Sequence, residues 1–250
     1  MSTIYIVGIG PGKIDMMTGE ALKALKASDI IAGYTVYVDL IKEHFPEKEF
    51  FTTPMRKEID RCMFCFEKAL EGKNVSLICS GDAGVYGMAS PMYELMMENP
   101  EFEKVHLSVI PGITAANSGA SVLGSPLNHD YCVISLSDLM TPWETIEKRL
   151  KCAAEGDFAV AIYNPSSVKR SDYLKKACEI MLSNGASPET KCAYVENIGR
   201  EGTKSVCCTL KELKDIKVNM FTTVFIGNSQ SVIYKSGDGE KLITKRGYSI

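Results

Sequence analysis

Residues 4–12 read Ile-Tyr-Ile-Val-Gly-Ile-Gly-Pro-Gly, a short apolar run that enters a glycine loop. The chemistry such a loop offers is phosphate binding. In a dinucleotide fingerprint, G-x-G-x-x-G, the amides face a pyrophosphate and the last glycine lets the next helix pack on the strand. Here the glycines are Gly8, Gly10 and Gly12, and Lys13 takes the place of the last one. Pro11 has no N–H to offer and fixes φ at about −65°. The next expected strand, Asp29–Gly33, ends without the acid that binds a ribose. The pattern argues against NAD at this loop. A second loop, Ser80-Gly81-Asp82-Ala83-Gly84-Val85-Tyr86-Gly87, follows the expected strand Asn74–Cys79 and is the better cofactor candidate. Its glycines permit close backbone approach, and Asp82 supplies negative charge.

The elements that position these loops alternate between strand-like and helical patterns, the signature of an α/β protein with a largely parallel sheet. Strands are predicted at Ile4–Ile9, Asp29–Gly33, Asn74–Cys79 and Val105–Ile110. Helices are predicted near Thr18–Lys26, with Thr18 as N-cap, near Lys57–Glu71 and near Ser90–Met97. After Pro111-Gly112 the chain turns to small residues, and a domain boundary is placed there, giving domains 1–115 and 116–250. The second half predicts strands at Tyr131–Leu136, Phe158–Tyr163, Lys191–Asn197 and Phe221–Ile226, and helices at Trp143–Ala154 and Asp172–Leu182. Val206–Leu210 is expected to pair antiparallel, which makes this second sheet mixed, and Leu242–Lys245 to add a short edge strand.

Glycine-rich and polar loops follow strands in both halves, where open α/β sheets bind ligands. Five stand out: Gly8–Lys13, Ser80–Gly87, Pro111–Ala116, Tyr163–Arg170 and Asn197–Gly202. Bulk properties narrow the ligand classes. A net charge of −3 argues against a broad nucleic-acid footprint. No apolar run approaches the roughly 20 residues that span a bilayer, and no secretory pattern opens the chain, so a cytoplasmic protein is expected. The nine cysteines are then read as reduced and mostly buried. Cys62-Met63-Phe64-Cys65 falls inside a predicted helix with no second pair to complete a metal set, and no metal site is expected. His44 and His106 look incidental, whereas His129 precedes a strand and could serve as acid or base.

Gly8–Gly12, Gly81–Gly87 and Ile110-Pro111-Gly112-Ile113-Thr114-Ala115 together resemble the tetrapyrrole methylase family, enzymes dependent on S-adenosylmethionine. Later segments, Ser135–Trp143, Ala161–Pro165, Asn197–Gly202 and Thr244–Tyr248, resemble the branch that methylates C-17 and contracts the ring. The resemblance runs in order along essentially the whole chain. Ala83 departs from it where many relatives carry proline, and Lys13 where many carry aspartate.

The resemblance implies two α/β domains of the class III methyltransferase type, with the cofactor in the cleft between them, in a homodimer. It implies cofactor contacts at Gly81, Asp82, Ala83, Tyr86, Thr114, Ala115, Tyr163, Asn164 and Gly199. The first glycine loop, Gly10, Pro11, Gly12 and Lys13, is implied to face the tetrapyrrole. A polycarboxylate substrate on an acidic chain needs local positive charge, for which Arg170, Arg200 and Arg246 are candidates. The implied reaction is methylation of C-17 of a precorrin-3B or cobalt-factor III tetrapyrrole with coupled ring contraction, in cobalamin biosynthesis. Its proton movements would fall to His129, Asp138 or Asp15. Two rivals stand beside this reading. One is a methylase of the same fold acting at another carbon or on a protein or RNA. The other, of a different class, is a nicotinamide oxidoreductase.

Overall fold

The computed structural model describes residues 1–167, 169–237 and 239–249 and divides into two compact units, Met1–Ala115 and Ala116–Ile250. The first unit holds β1 (Thr3–Gly8), α1 (Gly19–Ala27), β2 (Ile30–Tyr34), α2 (Thr35–Asp39), β3 (Glu49–Thr53), α3 (Glu58–Leu70), β4 (Val75–Cys79), α4 (Ala89–Glu98) and β5 (His106–Ile110). The strands form one all-parallel sheet in the order β3-β2-β4-β1-β5. Alternate residues split its two faces. Ile4, Ile6, Ala32, Val75 and Leu77 pack under α3 and α4 with Phe66 and Met92. Val7, Ile9, Ile31 and Ile78 pack under α1 and α2 with Ala24, Leu25 and Val38. All five β4 residues are buried, as expected of a central strand covered on both sides. Its one polar residue, Ser76, shares a 2.7 Å hydrogen bond with Ser28. Thr18 caps α1 as its position predicts, accepting from the Ala21 N–H at 3.0 Å.

This order sets the ligand end. From β1 the chain leaves toward β2, and from β4 it leaves the opposite way toward β5, so β1 and β4 flank a topological switch point. Because every strand is parallel, the loops after β1, β3, β4 and β5 all lie at one end of the sheet.

The second unit holds most of α5 (Ala115–Leu123), then β6 (Gly124–Ser125), β7 (Tyr131–Ser135), α6 (Trp143–Glu155), β8 (Ala159–Tyr163), α7 (Tyr173–Ser183), β9 (Lys191–Glu196), β10 (Lys204–Thr209), α8 (Leu210–Leu213), β11 (Thr222–Ile226), β12 (Ser231–Ser236) and β13 (Gly239–Thr244). Its main sheet is mixed, in the order β10-β9-β11-β8-β7. β7 and β8 run parallel, β11 runs against β8 and β9, and β10 runs against β9. The antiparallel Val206 segment is therefore present as predicted. The segment around Leu242 is not an edge strand. β13 pairs with β12 on one side and with β6 on the other, so it is the middle of a separate three-stranded sheet. Its own stretch of sequence could not show the two-residue partner at Gly124–Ser125, more than a hundred positions earlier.

Candidate active site

Three loops at the ligand end of the first sheet are tied into a single knot. Gly10 and Gly81 exchange both backbone hydrogen bonds, at 3.0 and 2.8 Å. Asp82 spends one carboxylate oxygen on the Gly84 N–H at 2.8 Å and the other on the Gly112 N–H at 2.9 Å. Glycine is required where the loops cross. A Cβ on Gly112 would stand 2.1 Å from the Gly81 carbonyl oxygen and 2.5 Å from that of Gly8. Gly10 and Gly81 also sit at φ +68° and +73°, where side chains are strained.

This wiring decides between ligand charges. The N–H groups of Gly10, Gly81, Gly84 and Gly112, which a pyrophosphate would need, are already engaged within the knot. The segments 8–12, 80–87 and 111–115 contain no Lys or Arg and one carboxylate, Asp82. A carboxylate, with no cationic side chain in these segments, suits a cationic ligand such as a sulfonium better than an anionic dinucleotide. These residues therefore fit S-adenosylmethionine better than NAD.

The individual candidates differ in what they can touch. Gly81 is buried, and Asp82 is partly buried with its carboxylate anchored. Ala83 is fully buried in the core under α4, and its carbonyl accepts from Ala89, so its side chain is not a ligand contact. Tyr86 is 58% exposed and holds a left-handed φ of +54°. Thr114 and Ala115 are half-buried at the start of α5, next to Gly81. Gly10, Pro11 and Gly12 are buried, which leaves Lys13 as the exposed member of the first loop. Asp15 is exposed in the short 3₁₀ turn that follows.

In the second unit, the C-terminal ends of β7, β8 and β9 share one end of the sheet. Asn164, at φ +51°, donates from Nδ2 to Ser135 Oγ at 2.9 Å and ties the β8 loop to the β7 loop. Tyr163 accepts from the Ala116 N–H at 2.6 Å, so its phenol serves the first turn of α5. Gly199, at φ +66°, lies in the turn closed by Arg200 N–H on the Asn197 carbonyl. Arg200 lies over the Phe221 ring at 5.4 Å. Arg246 is exposed beyond β13.

One expectation is corrected here. Arg170 is not an open cation: its Nε donates to Asp138 in an ion pair, and its side chain is 15% exposed. Asp138 also accepts from the Tyr173 hydroxyl at 2.6 Å. The Tyr173 phenol and the Arg170 guanidinium hold the Asp138 carboxyl below its ordinary range, which makes it a fixed anion and a poor proton donor at neutral pH. Tyr173, packed on Trp143 at 4.5 Å, is the member of this cluster the sequence did not single out. Its only signal was its place three residues after Arg170, in the first turn of a predicted helix.

His129, an alternative acid–base candidate, stands apart from Asp138. It precedes β7 and Asp138 follows it, so the five strand residues hold them about 16 Å apart at opposite ends of the sheet. His129 instead lines a polar cavity of 250 Å³ with Asp130, Asp157 and Ser229. There Ser229 already occupies both Asp157 oxygens.

The family model described as Tetrapyrrole (Corrin/Porphyrin) Methylases matches residues 3–214. This chain belongs to the tetrapyrrole methylase family. The "Probable cobalt-factor III C(17)-methyltransferase" of Salmonella typhimurium (strain LT2) is 42% identical over 247 residues, covering 99% of this chain and 100% of the relative. The "Cobalt-factor III methyltransferase" of Priestia megaterium is also 42% identical over 247 residues, covering 98% of this chain but 45% of that longer protein. Among solved structures, the methyltransferase CobJ matches with a TM-score of 0.88 at 33% identity, over 98% of this chain and 100% of that one. This methylase is thus a mixed α/β protein, with the parallel N-terminal and mixed C-terminal sheets described above.

Proposed function

We infer that this chain methylates C-17 of a tetrapyrrole with S-adenosylmethionine, with contraction of the ring, and that its substrate is the cobalt-bearing cobalt-factor III. The observation that carries this reading is the full-length match to the Salmonella relative of that name. The glycine knot supports it, being wired for a cationic cofactor. When bound there, S-adenosylmethionine supplies an electrophilic methyl group.

The chain's own residues orient and shield. Asp82 and the carbonyls of the knot hold the cofactor's positive centre, with Tyr86, Thr114 and Ala115 beside them. Tyr163, Asn164 and Gly199 complete the cofactor contacts in this proposal. Lys13, Arg200 and Arg246 take substrate carboxylates. The conjugated macrocycle furnishes the carbon nucleophile, so methyl transfer needs alignment more than a base. Alignment of this kind is worth about 7–11 kcal/mol of barrier. Asp15, exposed two residues after Lys13, is the acid–base candidate of this proposal. The protein works as a homodimer in the cytoplasm without nucleic-acid or membrane partners. No helix among the described residues is long and apolar enough to cross a membrane.

The test is incubation with S-adenosylmethionine and either the metal-free or the cobalt-bearing tri-methylated intermediate, read by product mass and NMR. A C-17-methylated, ring-contracted cobalt product is expected. Methylation elsewhere, or turnover of the metal-free compound alone, overturns the reading. Light scattering of the purified protein checks the dimer.

A further inference from the structure

We propose that the loop crossing the end of β3, residues 54–57, binds a peripheral carboxylate of the tetrapyrrole through the Arg56 guanidinium. The proposal deepens the function inferred above and rests on it. It starts from a deficit of charge. A polycarboxylate macrocycle over the switch point meets loops 8–13, 80–87 and 111–115, whose only cation is Lys13. Its acetate and propionate arms project outward from the ring, across neighbouring strand ends.

β3 lies two strands from β4 in the parallel sheet, so its end stands about 10 Å from the knot, at the same end of the sheet. Three cations cluster there. Lys57 is paired with Asp60 at 2.8 Å, and Arg61 faces Glu58 at 3.7 Å. Arg56 is exposed and, among the described residues, has no acid within ion-pair distance.

The loop that carries Arg56 is firmly mounted. Arg61, 3% exposed, donates from Nη1 to Thr53 Oγ1 at 2.7 Å, and Thr53 is the last residue of β3. On the other side, the Arg56 N–H donates to Glu58 Oε1 at 3.2 Å. Between these ties Arg56 is held at a left-handed φ of +67°, a conformation a long side chain adopts only when its surroundings impose it. Met55 and Ile59, 46% and 52% exposed, place apolar surface beside the guanidinium. A cation flanked by exposed apolar side chains matches the rim of a macrocycle, which is apolar in its face and anionic at its arms.

The test uses Arg56→Gly, which removes the guanidinium yet suits the left-handed backbone. Arg56→Lys keeps the charge, and Lys73→Ala, before β4 at the far end of the sheet, is the control. Turnover of the cobalt-bearing tetrapyrrole is measured at several salt concentrations, alongside S-adenosylhomocysteine affinity. Arg56→Gly is expected to raise the tetrapyrrole KM about tenfold, the effect of losing one charge-assisted hydrogen bond, and to flatten its salt dependence. Cofactor affinity and kcat should stay within twofold, on the order of experimental scatter. Arg56→Lys should recover part of the loss, and Lys73→Ala should match wild type. Thr53→Val, which frees Arg61, should raise KM about threefold, roughly the value of one neutral hydrogen bond, with kcat unchanged. A wild-type KM and salt slope for Arg56→Gly, in an enzyme that turns over the tetrapyrrole, overturns this site and leaves the function intact. Failure of the wild-type protein to bind or methylate any tetrapyrrole overturns the function and the site together.

Discussion

Replacing Gly112 by Ala probes the knot most directly. The new Cβ would begin 2.1 Å from the Gly81 oxygen and 2.5 Å from the Gly8 oxygen, both backbone atoms with no rotamer to swing away. To reach even 3.0 Å, the closest approach real Cβ atoms make, the β4 loop must retreat by roughly 0.9 Å. A hydrogen bond of 2.8–3.0 Å does not survive that displacement along its axis, so the reciprocal Gly10–Gly81 pair is the expected casualty. Overpacking costs about 1–3 kcal/mol and each lost hydrogen bond about 1 kcal/mol, for a total of about 3–5 kcal/mol. Domains are stable by only about 5–15 kcal/mol, so the loss is large. Urea unfolding followed by circular dichroism reads the stability, and calorimetry with S-adenosylhomocysteine reads the affinity. Both should fall, the affinity by more than tenfold, roughly the effect of misplacing the site by an ångström. Gly19→Ala is the control. Its Cβ meets nothing within 4 Å at the exposed start of α1, so a gain of about 0.4–1 kcal/mol is expected. An unchanged midpoint and affinity for Gly112→Ala would refute the close crossing of the three loops. Lost affinity with an unchanged midpoint would make Gly112 a ligand contact and not a structural one.

Further outcomes follow from the second unit and the thiols. Asp138→Asn removes a carboxylate whose folded pKa lies below its ordinary value of 3.8; the stability it confers is therefore present above that pH and lost as pH falls through the lower folded value. Urea midpoints of wild type and variant should differ at pH 7 and draw together as pH falls below the ordinary carboxylate value; a difference independent of pH would sever Asp138 from its ion pair. His129→Ala should leave methyl transfer within about twofold of wild type, since this histidine stands at the wrong end of its sheet; a hundredfold loss, the scale of losing a general acid or base, would restore it to the site. Burial pushes the Cys62 thiol up to about 12, and that of Cys65 higher still. Iodoacetamide on the native protein should therefore label exposed Cys152 first, and rapid labelling of either helix cysteine, read by peptide mass, would contradict the packing of α3.

Much of this architecture was written in local pattern. The alternation of strand and helix, the Thr18 cap, and the antiparallel turn of the Val206 segment depend on residues within a few positions of one another, and periodicity reports those. β3 escaped because Glu49, Thr52 and a half-exposed Phe pair do not read as a buried run, although the sheet needs them as its edge. The failed dinucleotide fingerprint was also legible, since Pro11 lacks the backbone donor and Lys13 lacks the missing glycine's clearance wherever the chain goes.

What the tertiary structure decided is the use of each polar group. Asp82 stood out as an anion after a strand, but its oxygens are claimed by Gly84 and, across thirty positions, by Gly112. Arg170 read as a free cation until the fold brought Asp138 to it from the loop after β7. His129 and Asp138, nine positions apart, are separated to opposite ends because an extended strand advances about 3.3 Å per residue. Composition states which charges exist. Only the packing of distant loops determines which are already neutralised, because the partner of a charge is set by sheet order and not by sequence distance.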